Sequence, residues 1–284
     1  MVTIDELNIK DTPKWCPGCG NFSILQILKD TIVKLQLKPY NILLVSGIGQ
    51  SSKLPHWINV YGFHTIHGRS MPVATGAKLA NNRLNVIAVG GDGDGYGMGM
   101  GHMIHAMRRN LDITYIIHNN QVYGLTKGQA SPTSDLNFKT PSTPFGAIEY
   151  PVNPITIALS AGATFISRAN AFDREKTMNI LAEAIKHKGF SLVDMIQYCI
   201  TYNKVNTPKW FKERGYYLDE NYDQKNKVNA FEKGLEWGDK IPFGIFYRED
   251  KPTLEDNLPQ ISEQPLVKHD IKNINVDKLF EELS

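Results

Sequence analysis

The stretch NVIAVGGDG at residues 85–93 is the part of the sequence from which the predicted fold follows. Its first five residues form a short apolar run, typical of a strand buried on both faces of a sheet. The run leads directly into glycines and an aspartate, as in strands that end beside a bound ligand. The stretch therefore predicts a buried parallel strand with a polar site at its carboxyl end.

Similar apolar runs lie on both sides of this stretch. Runs typical of strands occur at residues 41–45, 113–117, 164–168 and 191–197. Between them lie stretches with helical spacing or helix-start signals, at about 21–37, 72–81 and 98–109, from 153 onward, and at 172–187. This alternation predicts an α/β fold built on a doubly wound, mostly parallel sheet.

The pattern of residue types changes after about Thr201. Aromatic and charged residues are mixed there, and no clear alternation of strands and helices remains. We expect residues 1–200 to form the binding domain, with 191–197 as its last strand. Residues 201–284 are expected to form a C-terminal arm or subunit-contact region.

The composition is that of an ordinary soluble globular protein. The chain has 284 residues and a formal net charge of +2, which gives no electrostatic reason to expect nucleic acid or an anionic membrane as a partner. No apolar run approaches the roughly 18 residues that a membrane span needs. The first residues lack the layout of a signal peptide, so a cytoplasmic location is expected.

Polar residues follow two of the predicted strands. Asp92 comes directly after NVIAV, and Asn120, 28 positions later, follows the strand at 113–117. The carboxyl ends of neighbouring parallel strands form one edge, where ligands of such sheets bind. Alternate glycines from Gly91 onward let the backbone approach a bulky polar group. A helix starting near Met98 would add its positive end to an anion site.

Two kinds of ligand are compatible with this pattern. A glycine-rich loop after a strand suggests a dinucleotide, but Asp92 and Asp94 would repel a pyrophosphate placed directly beside them. A divalent cation between carboxylate and diphosphate removes that conflict, because Mg²⁺ binds carboxylate, amide, carbonyl and phosphate oxygens. Asp92, the Asn120 side chain and the Val122 carbonyl would supply half of its ligands. The plainer alternative is a turn at Asp92 and an ordinary strand end at Asn120.

The motifs around this site resemble one enzyme family. The GDG run at 91–93, followed by Asn120, looks like the thiamine diphosphate fingerprint. WCPGCG at 15–20, GIG at 47–49, HGR at 67–69 and YGLTKGQ at 123–129 occur in one order around it. Together they resemble the β subunit of 2-oxoacid:ferredoxin oxidoreductases, especially the archaeal two-subunit type, over about residues 12–245.

The resemblance implies a thiamine diphosphate-binding fold in which this chain supplies the diphosphate half of the cofactor site. It implies that Asp92, Asn120 and the Val122 carbonyl bind Mg²⁺. The other residues that it assigns to the cofactor are Gly47, Ile48, Gly49, His67, Gly91, Gly93, Asp94, Tyr123, Gly124, Leu125 and Thr126.

The resemblance also implies an activity. Members of the family decarboxylate a 2-oxoacid oxidatively, transfer the acyl group to coenzyme A and pass electrons one at a time through an iron–sulfur cluster to ferredoxin. His67 would lie near the diphosphate or the reacting thiazolium. Lys53 would meet the substrate carboxylate, with Leu125 and Lys127 beside it. Pyruvate and 2-oxoglutarate are both compatible with these residues.

The cysteines depart from the family pattern. Cys16, Cys19 and Cys199 match three of the four cysteines that hold a [4Fe–4S] cluster, but Gln50 stands at the fourth position. A four-iron cluster with a different fourth ligand, a three-iron cluster, and no cluster are three outcomes. In the last case the thiols bind Zn²⁺ or Cys16 and Cys19 form a disulfide.

The resemblance implies an obligate partner. The glutamate that activates the aminopyrimidine ring belongs to the pyrimidine-binding domain of an α subunit, and an αβ or (αβ)₂ assembly is expected. A non-oxidative thiamine diphosphate-dependent decarboxylase or synthase subunit is the main rival, favoured by Gln50 because such enzymes need no cluster. A non-catalytic cofactor-binding subunit and a nicotinamide-binding oxidoreductase are further alternatives.

Overall fold

A computed structural model describes residues 1–270 and 276–283. Within these ranges the chain forms ten strands and nine α-helices. The strands are β1 (Ile42–Ser46), β2 (Tyr61–His64), β3 (Asn85–Gly91), β4 (Ile113–Asn119), β5 (Val122–Tyr123), β6 (Gln129–Ala130), β7 (Phe165–Asn170), β8 (Ser191–Ile196), β9 (Gly215–Tyr217) and β10 (Ile241–Arg248). The helices are α1 (Ile4–Leu7), α2 (Gly20–Lys34), α3 (Ser70–Ala80), α4 (Met100–Arg108), α5 (Pro154–Ala161), α6 (Arg174–Lys186), α7 (Pro208–Arg214), α8 (Lys227–Leu235) and α9 (Val276–Leu283).

Eight of these strands form one sheet, in the order β2-β1-β3-β4-β8-β7-β10-β9. The six strands from β2 to β7 in this order pair in parallel. β10 runs antiparallel to β7 and pairs in parallel with β9. The short strands β5 and β6 form a separate antiparallel ribbon. The predicted α/β fold with a mostly parallel sheet is confirmed.

The sheet is buried on both faces. In β3, the side chains of Ile87 and Val89 pack into one apolar core, and those of Val86 and Ala88 pack into another. Helices α2 and α6 cover the first face, whereas α3, α4, α5 and α8 cover the second. Successive side chains of a strand point to opposite faces, so an apolar run without alternation requires helices on both. This is the doubly wound arrangement predicted from the sequence.

Two helix boundaries differ from the predictions. Helix α2 ends at Lys34 rather than at residue 37, because Gln36 adopts a left-handed backbone with φ of 54°. After Asp92 the glycine-rich chain forms a π-helical turn, Gly93–Met98, before α4 begins at Met100. The α-helix itself begins two residues after the predicted start near Met98, and the additional π-helical turn places a helical amino end next to Asp92.

The segment after Thr201 is more regular than expected. It contributes α7, β9, α8 and β10, and β10 joins the main sheet, so the prediction that 191–197 is the last strand is wrong. Pro242, Gly244 and a bulge between Ile245 and Tyr247 interrupt the two-residue period of β10, which hides it in the sequence. Residues 271–275 and 284 of the predicted arm lie outside the described residues, and its role in subunit contact stays a prediction.

The strand order creates the crevice in which the site lies. The chain passes from β1 outward to β2 and then returns to β3 on the other side of β1. Connections that leave two neighbouring strands in opposite directions open a crevice at their carboxyl ends. The ends of β4 and β8 continue the same edge. In the part of the chain that the structure describes, no helix is long and apolar enough to cross a membrane.

Candidate functional site

A cavity of about 260 Å³ lies at the carboxyl ends of β1, β3, β4 and β8. Its walls come from the segments that follow these strands, from the β5–β6 ribbon and from the chain before α2. Gly47 and Lys53 do not line it, but the other predicted site residues do. These are Cys16, Cys19, Ile48, Gly49, Gln50, His67, Gly91, Asp92, Gly93, Asp94, Asn120, Val122, Tyr123, Gly124, Leu125, Thr126, Lys127 and Cys199.

Asp92 is a buried carboxylate in the wall of this cavity. Its side chain accepts hydrogen bonds at Oδ2 from Ser131 Oγ at 2.5 Å and from Thr133 Oγ1 at 2.7 Å. Burial raises the pKa of Asp92 to about 6, and the two hydroxyl donors oppose this rise. The two hydroxyl groups therefore hold this carboxyl group in one orientation.

Asn120 is placed by a tight turn at the end of β4. Its Oδ1 accepts a hydrogen bond from the Val122 backbone N–H at 3.1 Å, and its Nδ2 donates to Gln197 Oε1 at 2.7 Å. Gln121, between them, has φ of 57°, and its buried side chain donates to the Thr133 carbonyl at 2.8 Å. The turn brings Asn120 and Val122 to the cavity wall that also contains Asp92.

These residues fit a hard divalent cation. A carboxylate, an amide oxygen and a backbone carbonyl are the ligand types that Mg²⁺ binds, and the remaining positions are usually taken by phosphate and water. In residues 1–270 and 276–283, no three His, Cys, Asp or Glu side chains are grouped so that they could hold a metal ion by themselves. A cation at Asp92 would therefore need oxygen ligands of other kinds, including those of a bound diphosphate.

Asp94 connects three strand ends instead of standing free in the cavity. Its Oδ1 accepts hydrogen bonds from the backbone N–H groups of Ile48 and Gly68, each at 2.8 Å, and lies 3.3 Å from His67 Nδ1. A Cβ on Gly47 would lie 1.9 Å from Asp94 Oδ2, so only glycine leaves room for this carboxylate. Burial raises the pKa of Asp94, and the two N–H donors lower it.

The aromatic ring of Tyr123 covers the backbone at the start of the π-helical turn. A Cβ on Gly93 would lie 2.0 Å from Tyr123 Cε1, and the Tyr123 hydroxyl donates to the Gly93 carbonyl at 3.3 Å. The His67 ring lies 6.2 Å from the Tyr123 ring, measured between centroids. Glycine at position 93 thus lets the β5–β6 ribbon close against the end of β3.

The two predicted lysines occupy different positions. Lys127 lines the cavity from the loop between β5 and β6, where its φ is 77°. Lys53 lies in a 3₁₀ helix, Ser51–Trp57, outside the cavity wall. Burial, then the charge of His56 and finally that of Lys53 lower the pKa of His64 in the edge strand β2. The 3₁₀ helix that contains Lys53 packs against β1, β2 and β3.

All three cysteines are free thiols that line the same cavity. Burial raises the pKa of Cys19 to about 11; the Asn21 backbone N–H lowers it, and electrostatic interaction with Cys199 and Cys16 raises it further. Trp15 Nε1 donates to the Gln50 carbonyl at 2.8 Å, which joins the cysteine segment to the loop after β1. The structure thus brings Gln50 to the cavity together with the thiols.

Several residues of the site were not found from the sequence. Ser131 and Thr133, which bind Asp92, follow β6, and Gln197, which binds Asn120, follows β8. Their roles depend on tertiary contacts between positions 39, 41 and 77 residues apart. Neither the Ser131-x-Thr133 pattern nor a single glutamine such as Gln197 predicts these contacts from the sequence.

The chain is similar to known proteins of one kind. Residues 47–195 match the model of the thiamine pyrophosphate enzyme C-terminal, TPP-binding domain. Residues 199–263 match the model of the C-terminal part of the pyruvate ferredoxin oxidoreductase beta chain. The chain is 48% identical over 249 residues to the 2-oxoacid:ferredoxin oxidoreductase subunit beta of Saccharolobus solfataricus, which covers 83% of this chain and 82% of that protein.

Two further relatives extend the likeness. The 2-oxoglutarate synthase subunit KorB of Methanocaldococcus jannaschii is 34% identical, with 88% of this chain and 93% of that protein covered. A solved 2-oxoglutarate:ferredoxin oxidoreductase from Magnetococcus marinus, with 2-oxoglutarate, coenzyme A and succinyl-CoA bound, superposes with a TM-score of 0.92 at 35% identity. That superposition covers 100% of this chain and 96% of the other. The chain therefore belongs to the family of 2-oxoacid:ferredoxin oxidoreductase β subunits.

Proposed function

We propose that this β subunit binds thiamine diphosphate through a Mg²⁺ ion held by Asp92, Asn120 and the Val122 carbonyl. We further propose that, with an α subunit, it catalyses the coenzyme A-dependent oxidative decarboxylation of a 2-oxoacid. One observation carries the proposal. Buried Asp92, which two hydroxyl groups orient, lines the same cavity as Asn120 and His67 at the carboxyl edge of the sheet.

Each residue of this group has a task. When bound, thiamine diphosphate supplies a carbon nucleophile and accepts the electron pair left by decarboxylation. Asp92 and Asn120 would hold the cation that neutralises the diphosphate. His67 lines the cavity with its Nδ1 3.3 Å from Asp94 Oδ1, and the imidazole would donate a hydrogen bond toward the diphosphate or the thiazolium. Tyr123 packs over the Gly93 backbone and would help to exclude water.

The remaining cavity would accommodate the substrate. Leu125 and Lys127 lie on the loop between β5 and β6, and a lysine ammonium is suited to a substrate carboxylate. Lys53 lies outside the cavity wall and would have to approach the substrate from the 3₁₀ helix Ser51–Trp57. The names of the relatives support a 2-oxoacid such as 2-oxoglutarate or pyruvate as substrate, with coenzyme A and ferredoxin as acceptors. Cys16, Cys19 and Cys199 would hold the iron–sulfur cluster that passes electrons to ferredoxin.

An assembly with an α subunit is part of the proposal. The cavity contains groups for the diphosphate half of the cofactor, and an α subunit would supply the pyrimidine half, in an αβ or (αβ)₂ complex. A cytoplasmic location is part of the proposal. The rival, a non-oxidative decarboxylase or synthase, has one observation in its favour, namely Gln50 beside the three thiols.

Activity of the co-expressed α and β subunits tests the proposal. We expect ferredoxin reduction that requires both a 2-oxoacid and coenzyme A, with thiamine diphosphate and Mg²⁺ bound to the purified complex. Asp92→Ala should abolish it, whereas Asp11→Ala, at an exposed position, should not. Unchanged activity of Asp92→Ala would instead indicate a non-catalytic subunit. Release of CO₂ without coenzyme A or ferredoxin would favour the non-oxidative rival.

A further inference from the structure

The number of thiols limits any iron–sulfur cluster that this chain can hold. The sequence contains three cysteines in total, and all three line the cavity. Clusters of four irons are usually held by four thiolates. A four-iron cluster bound by Cys16, Cys19 and Cys199 therefore has at least one iron without a cysteine of this chain.

Gln50 is a polar residue in the same cavity as the three thiols. Its backbone is fixed by the hydrogen bond from Trp15. Its side-chain Oε1 is buried and accepts no hydrogen bond from any residue in the described part of the chain. A buried acceptor without a donor is unfavourable. A metal ion, or a water molecule bound to one, would satisfy it.

Two other uses of the thiols fit the structure less well. Within residues 1–270 and 276–283 the cysteines do not form a group that could hold a single metal ion, which argues against a mononuclear zinc site. Cys16 and Cys19 are free thiols, not a disulfide. All three thiols nevertheless line one cavity. A polynuclear cluster can join thiols that are too far apart for one ion.

We propose, on the basis of the proposed function, that Cys16, Cys19 and Cys199 hold a cluster whose remaining corner faces Gln50 and carries an exchangeable iron. Iron in such clusters prefers soft thiolate sulfur, and a neutral amide oxygen is a weak substitute. The iron at that corner should therefore leave on mild oxidation. In that step [4Fe–4S]²⁺ loses Fe²⁺ and one electron to become [3Fe–4S]⁺, and the electron passes to an added one-electron oxidant such as ferricyanide.

The cluster type can be measured without reference to turnover. The αβ complex, purified anaerobically, would be examined by electron paramagnetic resonance and iron analysis before and after ferricyanide. The wild type should develop the signal of an oxidised three-iron cluster and lose one iron per β subunit. Fe²⁺ with dithionite should reverse both changes. Gln50→Cys should resist ferricyanide, whereas Gln26→Cys, which adds a thiol on α2 away from the cavity, should behave as the wild type.

Three results would overturn the inference. A wild-type cluster that keeps all four irons under ferricyanide, as Gln50→Cys should, shows that its fourth iron is not exchangeable. A three-iron signal that persists unchanged in Gln50→Cys shows that position 50 is not at the open corner. Absence of iron from the wild-type complex shows that no cluster is present. If decarboxylation in that iron-free complex still depends on Asp92, the cofactor site of the proposed function stands and only the cluster fails.

Discussion

Replacing Thr133 by valine should weaken Mg²⁺-dependent binding of thiamine diphosphate while leaving the subunit folded. The Thr133 hydroxyl is buried, 2.7 Å from Asp92 Oδ2 and 2.8 Å from Asn119 Oδ1, and valine keeps the shape of the side chain without this donor. A hydrogen bond to a charged group contributes about 1.5–3 kcal/mol. Since about 1.4 kcal/mol corresponds to tenfold in affinity, the loss should be roughly 10- to 100-fold.

Titration calorimetry of the αβ complex with thiamine diphosphate at fixed Mg²⁺ measures this loss. Thr133→Ser keeps the hydroxyl and should recover most of the affinity. Thr31→Val removes another buried threonine hydroxyl, which donates to the Ile27 carbonyl at 2.7 Å inside α2, and should not alter affinity. If Thr133→Val binds the cofactor as tightly as the wild type, the hydroxyl does not orient Asp92 for a cation.

Further predictions concern stability. His118 is fully buried beside Asn21 Oδ1 at 2.9 Å, and burial lowers its pKa to about 3. The unfolded chain binds a proton below about pH 6.5 that the folded chain does not, so His118 should reduce stability by up to about 1.4 kcal/mol per pH unit as pH falls. In urea unfolding at pH 7 and pH 5, His118→Gln should show a smaller decrease than the wild type; an equal decrease would contradict this. Gly47→Ala should cost about 1–3 kcal/mol, because its Cβ would meet the Asp94 carboxylate. Gly76→Ala, in an open position of α3, should instead gain up to about 1 kcal/mol, and thermal unfolding of both variants tests the contrast.

The core of the fold was predictable because its strands are buried on both faces. Such strands appear in the sequence as unbroken apolar runs, and β1, β3 and β4 were each located within two residues at either end. β10 belongs to the same sheet but contains Pro242, Gly244 and a bulge. These interrupt the alternation of side chains by which a strand is recognised in a sequence. β10 was therefore not predicted, because its proline, glycine and bulge are features of edge strands, whereas its place in the sheet is set by tertiary pairing with β7 and β9.

The cation ligands were predictable for a different reason. Parallel strands bring their carboxyl ends to one edge, so Asp92 and Asn120 had to approach each other once the strands were assigned. The hydroxyl groups of Ser131 and Thr133 come from the segment after β6, which crosses back over the site. The course of this segment depends on how the β5–β6 ribbon packs against Gly93, and no local sequence pattern predicts that packing.

The two aspartates of the glycine-rich run have different tasks, and this resolves an objection raised by the sequence. Two carboxylates beside a diphosphate would repel it, but the charge of Asp94 is directed to the backbone N–H groups of Ile48 and Gly68. That leaves Asp92 as the carboxylate of this run that is oriented by hydroxyl donors at the cavity wall. A single carboxylate with an adjacent amide oxygen still repels a diphosphate unless a cation lies between them. The geometry thus keeps the cation necessary to cofactor binding and distinguishes the two aspartates by their donors, which are hydroxyl groups at Asp92 and backbone N–H groups at Asp94 Oδ1.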